Sequence, residues 1–131
     1  MSRVNAAFVS LQYGDAQKDT ETIRRLSNCE IIEDRTVDSL RDIDAFAAQI
    51  RALDAVVTIS NTGAHMAGAL DAPLYVLLDD KNHLMWPFVG RTSDWYPSAK
   101  LYRKTGRLWM DVFQEIAIAL QAAMTQKTAA P

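Results

Sequence analysis

DAVVTISNTGAHMAGALDAPLYVLL, residues 54–78, decides the fold. Its first seven residues form a short apolar run in which Val56, Val57 and Ile59 suit a strand buried on both faces. A small polar turn, Ser60-Asn61-Thr62-Gly63, then opens a helix from about Thr62 to Leu70. Ala64, Ala67, Gly68 and Ala69 give that helix little side-chain bulk, so it can pack closely. Pro73 closes the helix, and LYVLL is a second apolar strand.

The same alternation continues on both sides. AAFVSLQ (6–12), closed by Tyr13-Gly14-Asp15, reads as a buried strand. DTETIRRLSN (19–28) follows as a helix carrying Ile23 and Leu26, with Asp19 or Thr20 as its cap. CEIIE (29–33) is a short strand. SLRDIDAFAAQIRAL (39–53) spaces Leu40, Ile43, Phe46, Ile50 and Leu53 at steps of three and four, an amphipathic helix. Residues 79–99 show no periodicity, and a loop of that length in a compact domain is often functional. KLYRK reads as a last strand. LWMDVFQEIAIALQAAM (108–124) reads as the closing helix, and TQKTAAP (125–131) as a frayed, disordered tail. Short strands alternating with helices imply an α/β fold: a Rossmann-like three-layer sandwich over residues 1–124, with a mostly parallel sheet covered by helices on both faces.

Bulk properties narrow the function. The chain of 131 residues carries 14 Lys and Arg against 16 Asp and Glu, a net charge of −2. Its basic residues are scattered, so nothing favours nucleic acid or an anionic membrane. No apolar run approaches membrane-spanning length, and the N-terminus lacks a signal-peptide core. Cys29 is the single cysteine, which excludes an internal disulfide and points to a reducing, cytoplasmic setting. Its place at the mouth of an apolar strand suggests a buried structural thiol.

Ligands of parallel α/β sheets bind beyond the carboxyl ends of the strands. Three strand ends here carry polar turns: Ser10 to Asp15, Ser60 to Gly63, and Asp79 to His83. All three are expected on one edge. The middle turn is the best anion site, because Asn61 or Thr62 can cap the helix, Gly63 lets a ligand approach the backbone, and the first-turn amides face that ligand. A plain capped helix is the competing reading. His65 lies in the first turn, where the helix N-terminus disfavours a protonated ring. It could bond a ribose or phosphate, or simply brace the preceding loop. Asp79 and Asp80 could act as ligands or stay solvated, and His83 suits an exposed loop. Trp86, Trp95 and Tyr96 either fold the long loop onto the domain or present a surface to a second domain. Neither a metal-ligand spacing, nor a serine–histidine–acid signature, nor a lysine-bearing phosphate loop is present.

With these motifs in view, DAVVTISNTGAHMAGALDAPLYVLL, the tryptophan-containing loop, SDWYPSAKLYRK and the early SLQYGD resemble the C-terminal half of a GT-B glycosyltransferase. The likeness is to the heptosyltransferase-like domains that follow tetratricopeptide repeats in bacterial proteins, and it covers roughly residues 7 to 120. The resemblance implies a donor-binding domain, one half of a GT-B fold, that holds a nucleoside diphosphate sugar without a metal or other cofactor. Carried over, Asn61, Thr62, Gly63 and His65 would receive the diphosphate, Gln12 and Tyr13 would flank the donor, and Leu78 and Asp79 would border the cleft. Ser60 stands where relatives usually carry an aspartate, and Asp71 where they carry a glycine. The first turn also lacks the lysine that related transferases often present.

The N-terminal acceptor half has no room in this length, so the resemblance implies a fragment that is not competent alone. The expected partners are a nucleoside diphosphate sugar and an acceptor domain or second copy of the chain. The alternative is a degenerate transferase domain that mediates assembly through the Trp86 and Trp95 loop. More distant is an unrelated Rossmann-like enzyme acting on a phosphorylated small molecule.

Overall fold

The computed structural model describes residues 4–14, 16–27, 29–81 and 84–129. Asp15, Asn82 and His83, which belong to two of the expected polar turns, lie outside the described residues. The described residues form two compact units, one from 5 to 49 and the other from 50 to 129 together with Val4.

In the first unit, β1 (Phe8–Val9) pairs in parallel with β2 (Ile31–Ile32). Between them runs α1 (Gln17–Leu26). This helix begins at Gln17, two residues ahead of Asp19 and three ahead of Thr20, the expected caps. Ala16 holds the cap position without a side-chain hydrogen bond, and Asp19 sits in the first turn. Thr20 is buried, and its hydroxyl donates back to the Ala16 and Gln17 carbonyls. That back-bonding is the usual fate of a helical threonine, and it takes Thr20 out of the capping role.

The helix α2 (Ile43–Arg51) is shorter than its apolar spacing predicts. Asp38 and Asp42 account for the late start: the Asp38 carboxylate accepts from the Leu40 amide, and that of Asp42 from Ala45. Each aspartate closes a local turn, and the second caps the helix. Leu40 and Ile43 are therefore exposed, while Phe46 and Ile50 are buried. Cys29 is exposed, not buried as its apolar neighbours suggest. The strand begins only at Ile31, two residues beyond it.

The second unit holds a parallel sheet of order β3-β4-β5. Its strands are β3 (Val56–Ile59), β4 (Leu74–Leu78) and β5 (Ala99–Arg103). All five residues of β4 are buried, as befits a central strand flanked on both sides. Its Tyr75 and Leu77 form a core with Tyr102 of β5 and with Val112 and Ile116 of α4 (Trp109–Ala129). Each fully buried aliphatic side chain contributes roughly 1.5–3 kcal/mol. The edge strand β3 buries Val56 but leaves Val57 and Ile59 exposed, so the expected burial on both faces does not hold there. The helix α4 continues to Ala129, through most of the stretch that the sequence reads as a tail, and Lys127 near its end pairs with Asp54.

The α/β class expected from the alternation is what the structure shows. Every paired strand is parallel to its neighbour, in an arrangement compatible with a Rossmann-like fold. Among the described residues no helix is long and apolar enough to cross a membrane.

Candidate functional site

The helix α3 (Thr62–Ala69) links β3 to β4 and packs against both. Its start is fixed by Asn61, whose extended backbone and side-chain oxygen make it the N-cap. That oxygen accepts from the Ala64 amide at 3.0 Å and from the Thr58 hydroxyl at 3.2 Å. The Ala64 and His65 amides also reach the Asn61 carbonyl. Thr62 and Gly63 occupy the positions whose amides a helix leaves without an intrahelical acceptor. No acidic residue stands in this first turn, so its partial positive charge is not opposed locally.

The helix also ends in a defined way. The Ala72 amide bonds the Ala67 carbonyl and that of Asp71 bonds Gly68, the paired bonds of a Schellman cap. Asp71 provides the left-handed residue, at φ 54°. The small-residue face has a specific use. A β-carbon placed on Gly68 would lie 2.4 Å from Cγ of Tyr96, so the Tyr96 ring rests directly on the helix backbone.

Tyr96 is one of two aromatic residues that fasten the long loop to α3. Its hydroxyl lies 3.1 Å from Nδ1 of His65. The imidazole is stacked on Trp86, with centroids 5.3 Å apart and planes inclined by 12°. The Trp86 indole N–H donates to Oγ of Ser60 at 2.9 Å, and Trp86 is only 3% exposed. Trp86 and Tyr96 thus hold the loop on the domain, whereas Trp95 is exposed. Ser60 and His65 both spend polar atoms on loop residues.

Asp79 follows β4, and its carboxylate accepts from the Lys81 amide at 3.0 Å. It borders a cleft of about 330 Å³ shared with Asp80, Lys81, Trp86, Phe88, Arg103, Thr105 and Gly106. This cleft lies at the carboxyl ends of β4 and β5, on the same edge of that sheet as the β3–α3 turn, whereas the first of the three expected turns follows β1 in a separate sheet. Through Trp86 it adjoins Ser60 and His65. Gln12 and Tyr13 are exposed and follow β1 in the first unit.

Arg103, the last residue of β5, was not singled out by sequence reasoning. Only its position at the carboxyl end of a strand could have flagged it. One of its terminal nitrogens donates to the Pro87 carbonyl, while its Nε is buried without a partner. Burial pushes the guanidinium pKa down. Among the described residues, no group of three or more metal-ligating side chains is gathered.

No family model matches the chain. Among curated proteins it is similar to Protein FlbA of Caulobacter vibrioides, with 29% identity over 116 residues. The match covers 87% of this chain and 19% of that protein, so the chain spans about a fifth of the relative's length. No solved structure matches it.

Proposed function

We propose that this chain is the nucleotide-sugar-binding domain of a metal-independent GT-B glycosyltransferase, of the heptosyltransferase-like kind, and depends on an acceptor-binding half for activity. The observation that carries the reading is the β3–α3 turn. Asn61 caps a helix whose open first-turn amides stand at the carboxyl end of a parallel strand, the place where such folds bind phosphorylated ligands. In this role the Thr62 and Gly63 amides and the helix dipole stabilise the departing nucleoside diphosphate. Asp79, at the end of the neighbouring strand, borders the donor.

A second reading has its own observation. Ser60, at the position where the GT-B resemblance implies an aspartate, uses its hydroxyl to receive the Trp86 indole, and His65 is occupied by Trp86 and Tyr96. With Phe88, Val89 and Trp95 exposed on the same loop, this suits a retired transferase domain that serves assembly.

Calorimetric titration with UDP, GDP, ADP and CMP, with and without attached sugars, separates the two. The donor reading expects saturable binding of a nucleoside diphosphate that a Gly63→Val variant, whose branched side chain obstructs approach to the first-turn amides, loses by at least about tenfold. A folded protein that binds none of these nucleotides would leave the assembly reading.

A further inference from the structure

The cleft at the ends of β4 and β5 contains a cation with too few acceptors. Arg103 is half-buried, and a guanidinium presents five N–H donors. Among the described residues, the Pro87 carbonyl is the one acceptor that its side chain meets, and Nε is sealed from solvent without a partner. Among the described residues no carboxylate pairs with it, and burial pushes its pKa down. An arginine in this position ordinarily has a bidentate acid or a phosphate against its planar fork. Asp79, which directly follows β4 and lines the cleft, has its carboxylate bonded to the Lys81 amide of its own turn. Asp80 is exposed on a short side chain, so water screens its charge, whereas the equally exposed Lys81 has a long flexible stem that can carry its ammonium over the cleft. Opposite them, Thr105 and Gly106 line the cleft from the turn after β5, both at positive φ.

We propose that this cleft is a phosphoryl-binding site in which the Arg103 side chain is the principal ligand and Lys81 the second cation. The ligand class is a small phosphorylated molecule whose phosphate sits beyond the carboxyl ends of β4 and β5. A phosphoryl group, rather than a carboxylate, fits two cations on one cleft because it carries nearly two charges at neutral pH. The cleft volume of about 330 Å³ admits a small molecule. The site is built on different strand ends from the β3–α3 turn, and it stands whether or not that turn holds a nucleotide sugar.

The test is a titration of the full chain with inorganic phosphate, pyrophosphate and acetate at constant ionic strength, followed by two-dimensional NMR. Saturable shifts centred on the amides of Arg103, Thr105 and Gly106 are expected with phosphate or pyrophosphate, and none with acetate. Arg103→Gln should weaken phosphate binding at least about tenfold, as loss of a charged hydrogen-bonding partner does. Because Arg103 also anchors Pro87, the exposed Lys81→Glu variant provides a reversal of charge that leaves this anchor intact, and it should weaken binding as well. If Arg103→Gln fails to fold, Lys81→Glu decides. Wild-type affinity in Lys81→Glu and in any folded Arg103→Gln would overturn the assignment, as would the absence of saturable shifts around Arg103 in the wild type. Equal binding of acetate would overturn the phosphoryl class. Gly63→Val should leave these shifts unchanged, which separates this site from the donor turn.

Discussion

Asp71 holds its backbone at φ 54°, a left-handed conformation that is unfavourable by roughly 1 kcal/mol for most residues with a β-carbon. It does so because the Schellman cap of α3 requires one such residue between the helix and β4. A glycine at this point would meet the same requirement without a β-carbon. Asp71→Gly is expected to raise stability by about 0.5–1 kcal/mol in urea unfolding, with the m-value unchanged. An unchanged or lowered midpoint would show that the aspartate side chain compensates for its own strain. Sequence reading saw the departure at position 71 without its cause, because backbone geometry is not written in residue type. Ser60 and His65 were legible as residues of the key turn, but their partners were not. Trp86 and Tyr96 lie 26 and 31 positions further along the chain, and the aperiodic loop gives no spacing that would pair them. Arg103 was hidden for the same reason, since a partnerless donor is a property of three-dimensional surroundings.

Elements with strong periodicity or flanking turn chemistry were the readable ones. LYVLL became β4 residue for residue, and α3 ended within one residue of its expected limit. Elements were misjudged where local polar chemistry competes with apolar spacing, as at Asp38 and Asp42 before α2. At the other end of the chain, polar Thr125 and Lys127 disguised a continuing helix, in which the Thr125 hydroxyl bonds the Gln121 carbonyl. Within the second unit, α4 is tied to the elements before it by Glu115. Its carboxylate receives Arg91 from the long loop, and Arg107 from the turn before the helix at 3.1 Å. The Arg91 hydrogen bond, supported by that of Arg107, holds Glu115 below its ordinary 4.5. A depressed carboxylate stabilises the fold above its unfolded pKa, and that contribution fades as pH falls through the folded value. Since both arginines are largely exposed, Glu115→Gln should cost under about 1 kcal/mol at neutral pH. The gap between variant and wild type in thermal unfolding should close as pH falls below 4.5, and shrink in high salt. A difference that persists in acid would assign the effect to packing instead of charge.

At the scale of the molecule the two units are built to different standards. Residues 5–49 hold a sheet of two strands with two residues each, and Thr20 and Phe46 are the buried side chains among the described residues of that stretch. Residues 50–129 hold a three-stranded sheet whose central strand is wholly buried. Two short strands are marginal by themselves, so local opening should occur first in residues 5–49. Native-state hydrogen exchange is expected to show the slowest amides in β4 and β5, with those of β1 and β2 exchanging at clearly lower protection. Uniform protection across both units would mean that they unfold as one. The overall class was legible because alternation of strand and helix is a chain-wide signal, whereas the division into two units depends on which stretches come together in space. The burial of Trp86 has one further consequence. The three tryptophans stand in three environments: Trp86 is 3% exposed, Trp95 is 66% exposed, and Trp109 lies between them, packed on the core. Because Trp86 walls the Arg103 cleft and stacks on His65, its indole is an intrinsic optical probe. It sits where events at the sheet edge would change its emission, while Trp95 supplies a solvent-facing reference within the same molecule.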